Sequence, residues 1–140
     1  MTGLWLRHNV RRDYEARRRL PAERDKAAAE AVLIAAFELA MRRLFGDTPD
    51  DQAVAAFVTH LVRKYKIERY RPIDGEAVVR AATGESVPIS DLDFRTVMMT
   101  RMMGTMEGLE QLDLSDRDLD GILNQAEQIA RDRGFVPDLA

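Results

Sequence analysis

The stretch "AAAEAVLIAAFELAMRRLF", residues 27–45, decides the fold because it is the most apolar segment of the chain and is rich in alanine. Alanine is the strongest helix former, and the larger apolar residues cover much more than one stripe of a helical surface. These residues are Leu33, Ile34, Phe37, Met41 and Leu44. A helix from about Pro21 to Phe45, ended by Gly46, is therefore predicted at the centre of the fold.

Charged side chains within this segment argue against a membrane span. Glu30, Glu38, Arg42 and Arg43 fall inside it, whereas a spanning helix needs about 20 residues that are largely free of charge. The N-terminal residues show none of the apolar run that is typical of a secretory signal. We expect a cytoplasmic protein that makes no membrane contact.

Signals for helix starts recur along the rest of the chain. Thr48 is predicted as an N-cap, with Pro49 in the first turn and Asp51 completing a capping box. A shorter helix is predicted after Asp74, ended by Gly84, with residues 66–73 as its connection to the preceding helix. The preceding helix has apolar residues at helical spacing, namely Val54, Phe57, Val58, Leu61, Val62 and Tyr65.

Two further helices complete the predicted fold. Ser90 is predicted to cap the first of them, with Ile89 packed onto Phe94, and the second runs from Ser115 to about Gly134. Together these signals predict an all-α protein: a single compact bundle-like domain of five to six helices with a central Ala-rich helix. We divide the chain into an Arg-rich N-terminal segment, residues 1–20, which has the spacing of a short helix, and a helical domain, residues 21–140.

Composition and charge set broad bounds on function. The 140 residues are 46% hydrophobic and 32% charged, as in globular proteins, and none is cysteine, which excludes disulfides and thiol chemistry. The excess of arginine over lysine indicates a GC-rich bacterial genome. Residues 1–26 carry a net charge of +4 and residues 107–138 a net charge of −6. This asymmetry suggests a charged partner, self-association of the two ends, or ordinary solvated helix faces.

The stretch "LSDRDLDGILNQAE", residues 114–127, has two interpretations. Its aspartates, Gly121 and Glu127 fit positions 1, 3, 5, 6 and 12 of an EF-hand calcium loop. Alternatively, Ser115 caps an amphipathic helix, with Asp116 and Asp118 in its first turn, where the helix dipole favours anions. The capped helix explains more residues, because the apolar residues from Leu119 onward form one continuous face. We therefore favour the helix and predict no metal site.

Methionines mark the fourth predicted helix, at positions 98, 99, 102, 103 and 106. They span an arc of about 140° at 100° per residue, and their flexible thioethers adapt to many surfaces. The arc is either a stripe that faces the core or an adaptable groove for a partner helix. From it we select Met98, Met102 and Met106 as candidate partner-binding residues. Gly104 and Gly108 predict either a close helix approach or a bend.

The Arg-rich stretch "RHNVRRDYEARRRL", residues 7–20, is the other candidate surface. Its selected partner-binding residues are Arg11, Arg12, Arg18 and Arg19. Arginine clusters also occur where proteins contact nucleic-acid phosphates, but Asp13 and Glu15 interrupt this one and the chain is acidic overall. The 66–73 connection is also longer than the 3–4-residue turn that is typical of a helix-turn-helix. Nucleic-acid binding therefore stays an alternative that we do not favour.

No catalytic arrangement emerges from the residue types and their spacing. His8 and His60 are the only histidines, and no glycine-rich phosphate loop, catalytic triad or Glu-x-x-His pair is present. We predict no catalytic residues, no cofactor and no small-molecule substrate. The predicted function is a small non-catalytic helical interaction or regulatory protein that acts through a protein-binding surface. The alternatives are a nucleic-acid-binding regulator that uses the Arg-rich N-terminus, and a single-site calcium-binding protein.

Overall fold

Five α-helices make up the computed structural model, which describes residues 26–135. They are α1 Lys26–Phe45, α2 Asp51–Tyr65, α3 Pro72–Ala82, α4 Phe94–Gln111 and α5 Asp116–Asp132. That part of the chain contains no strand, and its helices make many contacts between residues far apart in sequence. The predicted all-α bundle is therefore confirmed. The Arg-rich segment 1–20, with its expected short helix, lies outside the described residues, as do residues 21–25 of the predicted central helix.

The Ala-rich helix α1 lies at the centre of the bundle, as predicted. Its principal neighbours are α5 and α4, and it also contacts α3. Eight of its residues are buried: Ala28, Ala31, Val32, Ala35, Ala36, Phe37, Ala40 and Met41. Because five of these are alanines, neighbouring helices can approach the α1 axis closely, and the few large side chains fill the remaining space.

The two glycines of α4 face α1. A Cβ atom on Gly104 would lie 2.7 Å from the Phe37 ring, and one on Gly108 would lie 2.9 Å from the terminal methyl of Met41 and 3.3 Å from the Cβ atom of Ala40. Real Cβ atoms essentially never lie within 3.0 Å of such a neighbour, so the first two of these contacts could not form without a shift of the structure. The glycines therefore permit the close approach of two helices, which was one of the two predicted roles.

Two helix starts differ from the sequence prediction. The N-cap of α2 is Asp50, not Thr48, and its carboxylate accepts a hydrogen bond from the Ala53 amide at 3.1 Å. The N-cap of α4 is Asp93, not Ser90, and it accepts from the Thr96 amide at 3.0 Å. Aspartate caps a helix as well as serine or threonine does. The aspartate is therefore the N-cap in both helices, because its carboxylate reaches the backbone amide three residues further along the chain.

The connection into α3 is also shorter than predicted. Helix α3 begins at Pro72 instead of after Asp74, because proline suits the first helical position. The connection therefore spans residues 66–71, with Lys66 and Arg69 in the left-handed region, at φ 51° and 55°. This is still longer than the turn of a helix-turn-helix. The predicted helix ends are confirmed at Gly46, Gly84 and Gly134, which all have positive φ.

Candidate functional site

Large apolar side chains lie exposed at the starts of α3 and α4. Ile73 is 80% exposed and Phe94 is 72% exposed, while Met98, one turn further along α4, is 42% exposed. Single exposed apolar residues are common on protein surfaces, but a group of them indicates a binding surface. We call these three residues the apolar end.

Hydrogen bonds hold the two helix starts together. The Asp93 amide donates to the Asp74 carboxylate at 3.2 Å, and the Arg71 amide donates to the Thr96 hydroxyl at 3.1 Å. Since Asp74 follows Ile73 and Asp93 precedes Phe94, these bonds place both apolar residues at one end of the bundle. The rigid caps fix the backbone from which the exposed side chains project.

Tyr70 also connects α3 to α4, through contacts with Thr100 and Gly75. Its hydroxyl forms a hydrogen bond of 2.5 Å with the Thr100 hydroxyl, and its ring covers Gly75 so closely that an added Cβ would lie 2.0 Å from the phenol oxygen. Burial raises the pKa of Tyr70, against the opposing effect of the Thr100 bond. The phenol therefore stays neutral and serves as a hydrogen-bonding group in this contact.

Two arginines lie beside the apolar end. Hydrogen bonds from the Thr96 hydroxyl and amide lower the pKa of Asp93, and the charges of Arg71 and Arg95 lower it further. The Arg95 side chain also donates to the Glu68 carbonyl at 3.3 Å. Both arginines are exposed. The apolar end therefore has guanidinium groups at its margin that can contact carboxylates on a partner.

Two methionines of the predicted arc, Met102 and Met106, lie on the side of α4 that is turned away from α1. At 100° per residue, Met102 and Met106 each lie about 160° around the helix from Gly104. Both are partly buried, and Met98 is more exposed than either. The buried face of α4 includes Gly104 and Gly108, which meet α1. Among residues 26–135, the core cluster does not include Met98, Met102 or Met106, and their selection as partner-binding residues stays a prediction. Met99 and Met103 do pack against the core from its edge.

The four selected arginines lie outside the described residues. Arg11, Arg12, Arg18 and Arg19 therefore stay predictions from the sequence. Of the selected methionines, Met98 lies one turn along α4 from Phe94, and neither Phe94 nor Ile73 was selected in the sequence. No signal within either helix could have found them, because their exposure depends on how the starts of α3 and α4 are placed relative to each other.

A buried carboxylate forms a second cluster, between α2 and α4. Glu107 is only 3% exposed. Its oxygens lie 2.5 Å from Lys64 Nζ, 2.8 Å from Gln111 Nε2 and 3.0 Å from His60 Nε2. The Tyr65 hydroxyl lies 3.4 Å away. Because a buried charge is stable only when it is paired and hydrogen-bonded, this cluster connects the two helices.

Electrostatics keep Glu107 ionised. Burial by itself raises the pKa of this carboxyl, but hydrogen bonds from Lys64 and Gln111 and the charge of Lys64 outweigh burial and hold the pKa below its ordinary value. The pKa of Lys64 is raised correspondingly, since Glu107 and Glu110 outweigh its own burial. A carboxylate that orients an imidazole is also an element of catalytic triads, but no nucleophile among residues 26–135 is hydrogen-bonded to His60. The geometry supports a structural role.

Removal of the Glu107 charge should produce a pH-dependent loss of stability. A carboxyl with a lowered folded-state pKa stabilises the protein above the unfolded pKa of about 4.3, and this contribution is lost as the pH falls through the folded value. We expect Glu107→Gln to lower the free energy of unfolding by about 1–2 kcal/mol at pH 7 and by less at pH 3. Urea unfolding of both proteins at the two pH values measures this difference.

The matched control is Glu110→Gln. This residue lies on the same helix and also contacts Lys64, at 3.1 Å, but its side chain is 39% exposed. Exposed pairs contribute about 0–1 kcal/mol, so we expect a smaller and nearly pH-independent change. An equal loss for Glu107→Gln at pH 7 and pH 3 would contradict an ionised, stabilising Glu107.

The 114–127 stretch forms the predicted capped helix. The Ser115 hydroxyl accepts a hydrogen bond from the Asp118 amide at 3.1 Å, and α5 continues without interruption from Asp116. With a rise of about 1.5 Å per residue, Asp116 and Glu127 are roughly 16 Å apart along the helix axis. This geometry differs from the compact loop of an EF-hand. The residues described by the structure contain no cluster of three or more potential metal ligands.

Comparisons of the chain with protein-family models, with curated proteins and with solved structures find no match. Within residues 26–135, none of the helices has the length and apolar character needed to cross a membrane.

Proposed function

We propose that the protein is a small non-catalytic interaction or regulatory protein of the cytoplasm that binds a protein partner through the apolar end. The observation that carries this proposal is the exposure of Ile73, Phe94 and Met98 at one end of the bundle. Exposed apolar area is unfavourable in water. A partner that covers these side chains therefore gains free energy from their burial.

The local structure favours binding in two ways. The hydrogen-bonded helix starts already hold the backbone of Ile73 and Phe94, so association orders little additional chain. Aromatic side chains and arginines are the residues enriched at the energetic centres of interfaces. Phe94 would be the central anchor, Met98 would adapt to the partner's shape, and Arg71 and Arg95 would meet carboxylates at the margin.

The preferred partner is a protein segment with an apolar anchor flanked by acidic residues. The two arginines beside Asp93 supply the complementary charge. The acidic end of the chain itself, residues 107–138, includes such carboxylates, so self-association belongs to the same proposal. Sedimentation of the purified chain at low and high salt distinguishes self-association from binding to another protein.

Phe94→Ser combined with Ile73→Ser should remove partner binding without unfolding the protein. We expect affinity for a captured partner, or for a second copy, to fall by at least about 30-fold, because interface centres contribute about 2 kcal/mol or more. Stability should change by about 0.5 kcal/mol or less, since both side chains are exposed. Calorimetric titration and a thermal melt measure the two quantities.

Phe135→Ser is the matched control for this test. Phe135 is also a large exposed apolar residue, at 38% exposure, but it follows the last helix instead of lying at the start of α3 or α4. We expect its replacement to leave binding unchanged. Retained affinity in the Ile73/Phe94 double variant, or an equal loss in Phe135→Ser, would overturn the apolar end as the binding surface.

The Arg-rich segment and the remaining selected methionines, Met102 and Met106, are proposed to make additional contacts with the partner. Neutralising Arg11, Arg12, Arg18 and Arg19 together, or replacing Met102 and Met106 by serine, tests these contributions in the same titration. The nucleic-acid alternative depends on the same arginines and predicts DNA retention that decreases steeply with salt. No DNA retention at low salt would exclude that alternative.

A further inference from the structure

A small cavity lies between α1, α3, α4 and the connection that joins α3 to α4. Its volume is about 50 Å³. Its apolar walls are formed by Ile34, Phe37, Val78, Ala81, Ala82 and Ile89. Within residues 26–135, two charged residues also line it, Glu38 from α1 and Arg101 from α4. The cavity is separate from the apolar end and takes no part in the function proposed above.

The two charged residues of the cavity differ in their pairing. The Glu38 carboxylate is held by the Arg133 guanidinium from α5's C-terminal end, with contacts of 3.0 and 3.4 Å. The Arg101 guanidinium, in contrast, forms no hydrogen bond or close ion pair with any residue between 26 and 135. It is nevertheless half-buried, and Glu30 and Glu38 affect it only through their more distant charges.

The charged guanidinium of Arg101 loses hydration on burial, and no hydrogen bond from residues 26–135 replaces that hydration. Burial lowers the pKa of this guanidinium, and the charges of Glu30 and Glu38 only partly oppose that effect. Arginine has five N–H donors in a planar fork that matches a carboxylate. A carboxylate bound at this position would supply the hydrogen bonds that the protein does not.

We propose that the cavity binds a short-chain aliphatic carboxylate, with its carboxylate on Arg101 and its hydrocarbon tail against the apolar wall. The size of the cavity fixes the class of ligand. A cavity needs about 10–15 Å³ to hold one water molecule, so this volume accommodates three to five heavy atoms, as in acetate or propionate. Nucleotides and organic cofactors occupy pockets of roughly 300–1,000 Å³ and do not fit.

Propionate titration of the full chain, followed by NMR shifts of the Val78 and Ala81 methyl groups, tests this proposal. We expect saturable shifts with a Kd that is roughly millimolar, as is usual for so few atoms. Propionamide has the same shape without the charge, and we expect it to bind at least about tenfold more weakly. Equal shifts with propionate and propionamide would overturn the proposal, as would the absence of saturation.

Two variants test the contribution of the Arg101 charge and that of the cavity volume separately. Arg101→Met keeps most of the apolar stem and removes the guanidinium, so we expect at least about a tenfold loss of propionate affinity. Ala81→Leu keeps Arg101 and fills the cavity, so we expect binding to disappear. The control is Arg63→Met, which removes an exposed guanidinium from α2. Unchanged affinity in Arg101→Met, or a loss in Arg63→Met as large as in Arg101→Met, would overturn the assignment to this cavity.

Discussion

Gly104→Leu should lower the melting temperature by roughly 10 °C. The leucine Cβ would lie 2.7 Å from the Phe37 ring, and Phe37 is buried against the core and cannot move into solvent. Helices α1 and α4 would therefore have to separate. Overpacking of this kind costs about 1–3 kcal/mol or somewhat more for a large side chain, and each kcal/mol corresponds to about 3–5 °C for a domain of this size.

The control for this prediction is Gly121→Leu in α5. A Cβ atom on Gly121 meets nothing within 4 Å, and leucine is a better helix former than glycine by about 0.5–1 kcal/mol. We expect the melting temperature to stay the same or to rise slightly. Calorimetry of both variants compares the same substitution in a tight and an open position. A similar melting temperature for the two would refute the close approach of α1 and α4.

Phe37→Ala should cost about 3–5 kcal/mol, the range for removing a buried aromatic side chain. Phe37 is 1% exposed, faces Gly104 and lines the small cavity. Its loss would leave a larger void between α1, α3 and α4. Urea unfolding measures this change, and Phe45→Ala is the matched control, because Phe45 is only partly buried. A loss of less than about 1 kcal/mol would contradict the central position of Phe37.

The double variant Gly104→Leu with Phe37→Ala should lose less free energy of unfolding than the sum of the losses in the two single variants. The leucine at position 104 would occupy part of the space left by the Phe37 ring, since the two positions are in direct contact. Neighbouring substitutions of this kind deviate from additivity by about 0.5–3 kcal/mol. Urea unfolding of the two single variants and the double variant measures this deviation from additivity.

The helical fold was predictable because the evidence for it is local. Apolar spacing in α2, the alanines of α1 and the serine cap of α5 each act within a few residues, and the structure confirms each of them. The starts of α2 and α4 were predicted two or three residues too early. Serine, threonine and aspartate differ little in capping strength, so which of several adjacent candidates caps a helix depends on the tertiary position of the chain.

The contacts of the candidate sites were not predictable from local patterns. Glu107 meets His60 and Lys64, which lie 47 and 43 positions earlier, and no spacing within one helix indicates such a pair. The methionines of α4 were recognised as an arc, but their direction depends on Gly104, which determines the side that α1 approaches. The exposure of Ile73 and Phe94 likewise requires the relative placement of two helix starts.

The pairing of α1 with α5 has a consequence for the newly synthesised chain. These two helices pack extensively, yet 70 residues separate Phe45 from Asp116. At a synthesis rate of about 5–20 residues per second, synthesis of α5 begins roughly 4–14 seconds after that of α1 is complete. During that interval α5 does not yet cover the apolar surface of α1, so we expect molecular chaperones to bind it, and we expect a chain truncated before α5 to be digested by proteases faster than the full chain.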